Sequence, residues 1–464
     1  MIATAERCRR PGARMQRDLY SQFGSFSLAD APPEVVHQAK RCLLDLVGVA
    51  AAGRRTDASR IAHAVARSQF GGGDGMLLFD GATASAAGAA FANATTIDSF
   101  DAHDGHPLTK GHAGCGCLAA VVGFAGNGEG ISGADALAHL ILGYELAIRA
   151  GIALHATASD YHTSGAWVAL AAAAIGARML KLPALQMREA IGIAEYNGPR
   201  SQMMRCIDHP TMIKDGSGWG AMVGAAAAVL ARGGFTGAPA ITLEGADVAS
   251  IWADFGQRWR ITEQYFKPHP VCRWAQPAME AAAALRREHG FDANDITAVT
   301  VRTFQEASCL RVAAPASTEA AQYSLPFPLA ALLVRGSVGP AELDGAGLAD
   351  PDVLRVSGSV KLVEDARYSA LFPAQRWAEV DITLADGRVL HSPPSTARGS
   401  ADSPLSDGEI SEKFHRLMEA SGAGDRAHAV EREVMALDSA PSLAPLLSLI
   451  CQPVASSRFA EAAQ

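Results

Sequence analysis

The sequence predicts a mainly α-helical protein into which a smaller α+β domain is inserted. From about residue 33 to 235, apolar residues recur every three or four positions, as on the buried face of a helix. After about 262 the pattern changes to alternating β-branched residues and a hairpin turn, and helical spacing returns from about 407. The predicted domains are a large all-helical domain built from both ends of the chain, 1–262 and 401–464, and an inserted α+β domain at 263–400.

The first helices are marked by their start signals and their spacing. Pro32 and Pro33 precede a segment, Glu34–Ala51, whose apolar residues lie three or four positions apart, so we expect a helix there. The later helices are rich in Ala and Gly, which predicts that they pack closely against each other. Their expected positions are about 84–100, 119–126, 133–154, 164–182 and 185–194.

The inserted domain is predicted from strand and turn signals. Ile296–Thr303 alternates and is rich in β-branched residues, which indicates a strand. Two further strands, Ala378–Leu384 and Arg388–His391, flank Asp386-Gly387, the residue pair typical of a two-residue hairpin turn. Helices are predicted at about 320–335 and from 407 onward.

Composition excludes several classes of function. The 464 residues carry a net charge of −8 without a basic block, so we expect no binding to nucleic acid. The longest apolar stretch, Trp219–Ala231, has 13 residues and is too short to span a membrane. The eight cysteines are scattered without a CxxC motif, and the N-terminus shows no secretory signal. We therefore expect a cytoplasmic protein with reduced thiols and no contact with a membrane.

The densest polar cluster is Asp98–Gly114, which follows an apolar helix. It holds three histidines, three aspartates and one of only seven lysines in the chain. Its glycines predict a loop that folds back and aims several side chains at one point. A metal centre at His103, Asp104 and His106 is an alternative, but the spacing fits no standard metal motif, so we expect no metal.

Two other lysines lie in unusual settings. Lys214 precedes an Ala/Gly-rich helix, although a positive charge at that end is disfavoured by the helix dipole. Lys267 stands beside Pro268 and Pro270, whose rings disfavour a helix and predict a stiff strap at the domain boundary. The chain has no nucleotide-binding glycine motif and no nucleophile elbow, which leaves acid/base chemistry of His, Asp and Lys without a cofactor.

Five segments, in this order, resemble the MmgE/PrpD family, and the similarity spans about 33 to 440. They are SFDAHDGHPLTKGHAG (99–114), YHTSGAWVALAAAAIGARMLKL (161–182), TMIKDGSGWGAMVGAAAAVLARGGFTG (211–237), YFKPHPVCRWAQPAMEAA (265–282) and AAQYSLPFPLAALLVRG (320–336). The resemblance implies a helical domain with an α+β lid, a homodimer, no metal or organic cofactor, and an active site between domain and lid.

The resemblance also implies which residues form that site. The catalytic residues are expected to be Asp101, His112, Lys214 and Lys267. The resemblance also places His162 in the site. From the polar segments themselves, the further residues expected to bind a small di- or tricarboxylate substrate are Asp104, His106, Thr163, Arg200, His269 and Arg273.

The family includes 2-methylcitrate dehydratase, cis-aconitate decarboxylase and iminodisuccinate epimerase. We expect abstraction of a proton α to a carboxylate, with cationic side chains stabilising the resulting anion. The dehydratases have the triplet HPS where this chain has His112-Ala113-Gly114, which favours an epimerase of the iminodisuccinate type. The alternatives are a dehydratase, a decarboxylase of the cis-aconitate type, and a carboxylate-binding protein without turnover.

Overall fold

The computed structural model describes residues 12–454, with side chains from Leu19 to Val454. The sequence predicts no secretory signal at the N-terminus, and residues 1–11 of that segment lie outside the described residues. The fold is mainly helical, as predicted, with a small mixed sheet. The helices up to residue 252 are α1 (Gly12–Ser25), α2 (Pro33–Gly53), α3 (Asp57–Gln69), α4 (Ala86–Asp98), α5 (Gly114–Phe124), α6 (Gly133–Thr157), α7 (Gly165–Met179), α8 (Ala184–Asn197), α9 (Met204–Asp208), α10 (Ser217–Arg232), α11 (Ile241–Glu244) and α12 (Ala249–Trp252).

The Ala/Gly-rich helices pack with their backbones almost in contact. A Cβ atom added at Gly220 of α10 would lie 2.4 Å from the carbonyl oxygen of Gly165, where α7 begins. Only glycine fits such a crossing, which explains the composition of both helices. Helix α6 is long and apolar enough to cross a membrane, but 94% of its most apolar window is buried inside the protein, as in a core helix.

The inserted segment contains the main sheet. Its helices are α13 (Gln276–His289), α14 (Gln305–Ser308), α15 (Thr318–Gln322), α16 (Pro326–Arg335), α17 (Pro340–Leu343), α18 (Pro351–Gly358) and α19 (Ala366–Ser369). The strands of the chain are β1 (Gly75–Met76), β2 (Thr83–Ala84), β3 (Ile296–Thr303), β4 (Val360–Glu364), β5 (Trp377–Leu384), β6 (Val389–His391) and β7 (Ser395–Thr396). Strand β3 lies between β4, to which it is parallel, and β5, to which it is antiparallel.

The predicted hairpin is confirmed, whereas β4 and the two-residue strands β1, β2 and β7 were not predicted. β5 pairs with β6 in the register Thr383↔Val389, and the turn places Gly387 at φ 87°, where glycine is favoured. β4 was missed because its five residues are only partly buried and do not alternate clearly between buried and exposed positions.

The single helix predicted at about 320–335 is wrong. The chain instead forms α15 and α16, separated by Tyr323–Leu325. Pro326 begins α16 and has no backbone N–H with which to continue a helix from α15. The interruption turns the side chains of Gln322 and Tyr323 inward, where both are buried.

The C-terminal helices return to the N-terminal ones. They are α20 (Asp407–Ser421), α21 (Ala427–Met435) and α22 (Ala444–Ile450). Helix α20 packs on α2, and Lys413 Nζ lies 2.6 Å from Asp45 Oδ1 and donates to the carbonyl of Ala102 at 2.6 Å. The helical part is therefore built from both ends of the chain, while the domain boundaries at 262/263 and 400/401 stay a prediction.

Candidate active site

The polar cluster forms a buried loop between α4 and α5. The loop closes on itself, since the N–H of His106 donates to the carbonyl of Gly111 at 2.9 Å. It also pairs with the strap that contains Lys267. Gly105 and Tyr265 exchange two backbone hydrogen bonds, of 3.0 and 2.8 Å, so the two segments form one wall.

Asp101 and Lys267 join these segments through their side chains. Lys267 Nζ lies 2.5 Å from Asp101 Oδ1 and 3.2 Å from the carbonyl oxygen of Asp101, and both side chains are buried. Burial by itself would raise the pKa of Asp101, but the charges of Lys267 and Lys214 hold it below its usual range. Asp101 is therefore a carboxylate at neutral pH.

Gln322 connects Lys214 to the same aspartate. Its Oε1 accepts from Lys214 Nζ at 2.7 Å and from the N–H of Asp101 at 2.8 Å. Its Nε2 donates to the carbonyl of Ser99 at 3.2 Å and to Thr318 Oγ1 at 2.8 Å, which fixes the orientation of the amide. Lys214 Nζ also lies 4.6 Å from the centre of the Tyr323 ring, on its face.

His112 is held so that one ring nitrogen stays available. Its Nδ1 lies 2.5 Å from the carbonyl oxygen of Asp104, and because a carbonyl only accepts, Nδ1 carries the proton. Burial, together with the charges of His103 and Lys267, lowers the pKa of His112 to about 4. At neutral pH the ring is neutral, and Nε2 carries a lone pair that can accept a proton.

Two carboxylates face that lone pair. His112 Nε2 lies 3.6 Å from Asp215 Oδ2 and 3.9 Å from Asp101 Oδ1. Ser164 Oγ donates to Asp215 Oδ2 at 3.0 Å and accepts from the N–H of His112 at 3.0 Å, so it ties the two residues together. Burial and the nearby negative charges of Asp98 and Asp101 raise the pKa of Asp215 to about 6.

A narrow cavity opens beside these groups. It has a volume of about 20 Å³, roughly the space of one water molecule. Its lining comes from both the helical part and the inserted segment, and consists of Asp101, Lys110, His112, Tyr161, Met203, Tyr265, Lys267, Cys272, Arg273, Trp274, Tyr323 and Arg376. Because this volume holds about one water molecule, any larger ligand enters only when the covering segments move apart. Lys214 is not part of this lining and lies behind Tyr323.

Asp104 and His106, which we expected to bind substrate, turn away from the cavity. Tyr144 of α6 donates a hydrogen bond to Asp104 Oδ2, and burial raises the pKa of Asp104 to about 7. His106 Nε2 lies 3.2 Å from Glu263 Oε2, on the other side of the loop. Both side chains therefore support the loop, and the backbone carbonyl of Asp104 is what orients His112.

Arg273 does line the cavity, but its guanidinium is bound within the protein. It donates to the carbonyls of Arg398 and Ala397, at 2.8 and 3.1 Å, and to Ser400 Oγ at 2.5 Å. It also lies on the face of the Tyr265 ring, 4.5 Å from its centre. Arg273 thus fixes the strap to the segment after β7 and is not available for a substrate in this conformation.

The remaining expected substrate residues lie outside the lining. Arg200 is exposed, and His162 is partly exposed with its Nδ1 3.0 Å from the carbonyl oxygen of Asp160. Thr163 is buried next to Gly216, and its hydroxyl has no hydrogen-bond partner among the described residues. His269 lies on the strap but is partly exposed, and burial of its ring lowers its pKa to about 4. Sequence spacing could not predict where these side chains point.

The metal alternative at His103, Asp104 and His106 does not agree with the geometry, because these three side chains diverge. His103 instead stacks on His112, with ring centres 4.1 Å apart. Asp101, His103 and His112 each bring one potential ligand atom within 4.8 Å of the others. The ammonium of Lys267 already lies 2.5 Å from Asp101 Oδ1 and would repel a second cation there.

The sequence did not predict four side chains that contact the expected catalytic residues, namely Asp215, Ser164, Gln322 and Tyr323. It also did not predict the lining residues Lys110, Tyr161, Met203, Tyr265, Cys272, Trp274 and Arg376. Asp215 adjoins Lys214, and the left-handed backbone at Lys214 and Gly216 (φ 51° and 67°) aims the pair into the protein. The signal was a charged pair directly before an apolar helix. Ser164, Gln322 and Tyr323 were visible only as polar residues that interrupt apolar segments.

Comparison with known proteins agrees with this architecture. The model of the MmgE/PrpD N-terminal domain matches residues 19–255, and that of the MmgE/PrpD C-terminal domain matches residues 269–439. The chain is also 22% identical to the cis-aconitate decarboxylase-like protein oryM of Aspergillus oryzae, in an alignment covering 95% of this chain and 98% of that protein. The chain therefore belongs to the MmgE/PrpD family.

Proposed function

We propose that the protein is an enzyme which removes a proton from the carbon α to a carboxylate of a small di- or tricarboxylate, without a cofactor. The observation that carries the proposal is the position of His112, whose Nδ1 is bound to a carbonyl and whose Nε2 faces the cavity beside a buried lysine. A neutral imidazole with a lowered pKa, next to a buried cation, is the arrangement that such a proton transfer needs.

The residues divide the work by charge. His112 Nε2 takes the α-proton, and Lys267 at the cavity wall stabilises the negative charge that spreads onto the substrate carboxylate. Lys214 adds positive potential from behind Tyr323, and Asp101 fixes the position of Lys267. Asp215 lies 3.6 Å from His112 and stabilises the imidazolium that forms.

The fate of the anion decides the reaction. Return of the proton to the opposite face gives epimerisation, and loss of a β-hydroxyl gives dehydration. A decarboxylation differs in its first step, because loss of CO₂ itself leaves the electron pair on carbon, and that anion then takes a proton. We favour an epimerase of the iminodisuccinate type, because His112-Ala113-Gly114 departs from the dehydratase motif. The name of the Aspergillus oryzae relative supports decarboxylation as the second candidate.

Product analysis separates these reactions. The purified protein is incubated with single stereoisomers of iminodisuccinate, with cis-aconitate and with 2-methylcitrate, and products are followed by chiral chromatography and by release of CO₂. Interconversion of the iminodisuccinate isomers supports the epimerase. Release of CO₂ from cis-aconitate without any isomer interconversion would replace it with the decarboxylase.

A binding protein without turnover makes a different prediction. In that case, Lys267→Ala would weaken the binding of a carboxylate ligand, and the wild type would transform none of the three substrates. Loss of turnover in Lys267→Ala with ligand binding retained would reject the binding protein.

The proposal also includes a homodimer in the cytoplasm that contacts neither nucleic acid nor membrane. Light scattering of the purified protein during size-exclusion chromatography tests the oligomeric state. A mass of one chain at micromolar concentration would contradict the dimer.

A further inference from the structure

Two cations line the cavity without a direct ion pair, although Glu306, beyond ion-pair distance, contributes a negative charge at Lys110. Lys110 belongs to the loop between α4 and α5, and Arg376 lies directly before β5 in the inserted segment. Among the described residues, neither side chain has an ion pair or a hydrogen bond with another protein group. The Nε of Arg376 is buried and has no hydrogen-bond partner. A buried guanidinium nitrogen without an acceptor is costly unless a ligand completes it.

Each of the other three cations of the site already has a hydrogen-bonding partner within the protein. Lys267 is paired with Asp101, Lys214 donates to Gln322, and Arg273 donates to three acceptors after β7. Lys110 and Arg376 have no such hydrogen-bonded partner. They lie close to each other at the cavity, and burial together with the charge of Arg376 lowers the pKa of Lys110. Two neighbouring positive charges at one cavity favour an anion between them.

Both side chains are held in place by aromatic rings. Lys110 Nζ lies 4.7 Å from the centre of the Tyr161 ring, and Tyr161 also donates its hydroxyl to the carbonyl of Lys110. That bond holds Lys110 in a left-handed backbone conformation, with φ 52°, which residues other than glycine rarely adopt. The guanidinium of Arg376 lies 5.5 Å from the centre of the Phe372 ring. Neither ring neutralises the charge, so both cations remain ready for an anion.

We propose that Lys110 and Arg376 form a clamp for a second carboxylate of the substrate, distinct from the carboxylate stabilised at Lys267. Arginine binds a carboxylate through two parallel hydrogen bonds, and lysine adds a point charge. Because Lys110 and Arg376 come from the two parts of the chain that enclose the cavity, a carboxylate that both of them bind holds the cavity closed. The clamp rests on the proposed function and deepens it, since it selects polycarboxylates over monocarboxylates.

The test compares ligands that differ in this carboxylate. Binding of succinate, tricarballylate and butyrate to the full-length protein is measured by calorimetry, where butyrate carries a methyl group in place of one carboxylate of succinate. Wild type is compared with Arg376→Gln and Lys110→Gln. The matched controls are Arg388→Gln in the exposed hairpin turn and Lys361→Gln on exposed β4.

We expect the wild type to bind the polycarboxylates about 10- to 100-fold more tightly than butyrate, the range of one charged hydrogen bond. Arg376→Gln and Lys110→Gln should lose most of this preference while butyrate binding and thermal stability stay unchanged, and the controls should keep it. Variants that retain the wild-type preference would overturn the clamp alone. A wild type that binds no carboxylate would overturn both the clamp and the proposed function, whereas the expected pattern without any proton exchange would leave the clamp and reject the enzyme.

Discussion

Lys267 and Asp101 form a fully buried ion pair, with Nζ 2.5 Å from Oδ1, although 166 positions separate them in the sequence. The pair joins the loop before α5 to the strap that begins the inserted segment. It is both a structural connection and the means by which a lysine charge is held at the cavity.

Removal of one partner should therefore destabilise the protein strongly. Lys267→Met leaves a buried carboxylate without its cation, which costs about 3–5 kcal/mol of unfolding free energy. The double variant Asp101→Asn/Lys267→Met should lose much less than the sum of the single losses, because neither charge is left unpaired. Urea unfolding measures the single variants Lys267→Met and Asp101→Asn and the double variant, with Lys361→Met at an exposed position of β4 as the control. Additive losses would show that the two groups do not interact.

The raised pKa of Asp104 predicts a pH-dependent stability. Burial raises it from the ordinary value of 3.8 to about 7. Between these values the folded protein keeps a proton that the unfolded chain has lost, so the unfolding free energy falls as the pH rises, by about 1.4 kcal/mol per unit. Asp104→Asn cannot titrate and should gain stability relative to wild type across that window. Urea titrations between pH 4 and 8 test this, and parallel curves for the two proteins would contradict it. Exposed Asp402→Asn is the control.

The lowered pKa of His112 sets the acid limb of activity. A base works only when deprotonated, and Asp215 stabilises the imidazolium only as a carboxylate, so the rate should rise with pH between the pKa of His112, about 4, and that of Asp215, about 6. A histidine in water, with its pKa near 6.5, would be mostly protonated there. The pH dependence of kcat/KM for α-proton exchange measures this limb. A midpoint at or above pH 6.5 would exclude His112 in this environment as the base.

The closed cavity predicts joint protection on binding. A substrate analogue such as tricarballylate should slow amide hydrogen exchange in the strap at 265–273 and in the loop at 101–112 together, because backbone hydrogen bonds between Gly105 and Tyr265 connect them. Mass spectrometry of peptic peptides resolves both segments. Protection of one segment alone would place the binding site elsewhere.

The hairpin and most of the long helices follow from local signals and were predicted, whereas α3 and α13 were not. Strand β3 spans Ile296–Thr303 as expected, and the Asp386-Gly387 turn joins β5 to β6. The break between α15 and α16 shows the limit, since apolar spacing continued through it while Pro326 ended the hydrogen-bond ladder. The meeting of the loop with the strap followed from the family resemblance.

Side-chain directions within the loop could not be predicted. Asp104 and His106 turn away from the cavity because of partners 40 and 157 positions away, Tyr144 and Glu263. Gln322 enters the site for the same kind of reason, through bonds to Asp101 and Lys214 from distant parts of the chain. A single sequence shows which polar residues share a segment but not which neighbour each of them will meet.

Deuterium incorporation tests directly whether His112 exchanges a proton α to a carboxylate. Wild type and His112→Gln are incubated with iminodisuccinate or cis-aconitate in deuterated water, and the α-position is followed by NMR. We expect incorporation by the wild type and a rate about 100- to 10,000-fold lower for His112→Gln, whose folded structure is checked by circular dichroism. Equal incorporation by both proteins, or none by the wild type with any of these substrates, would contradict it.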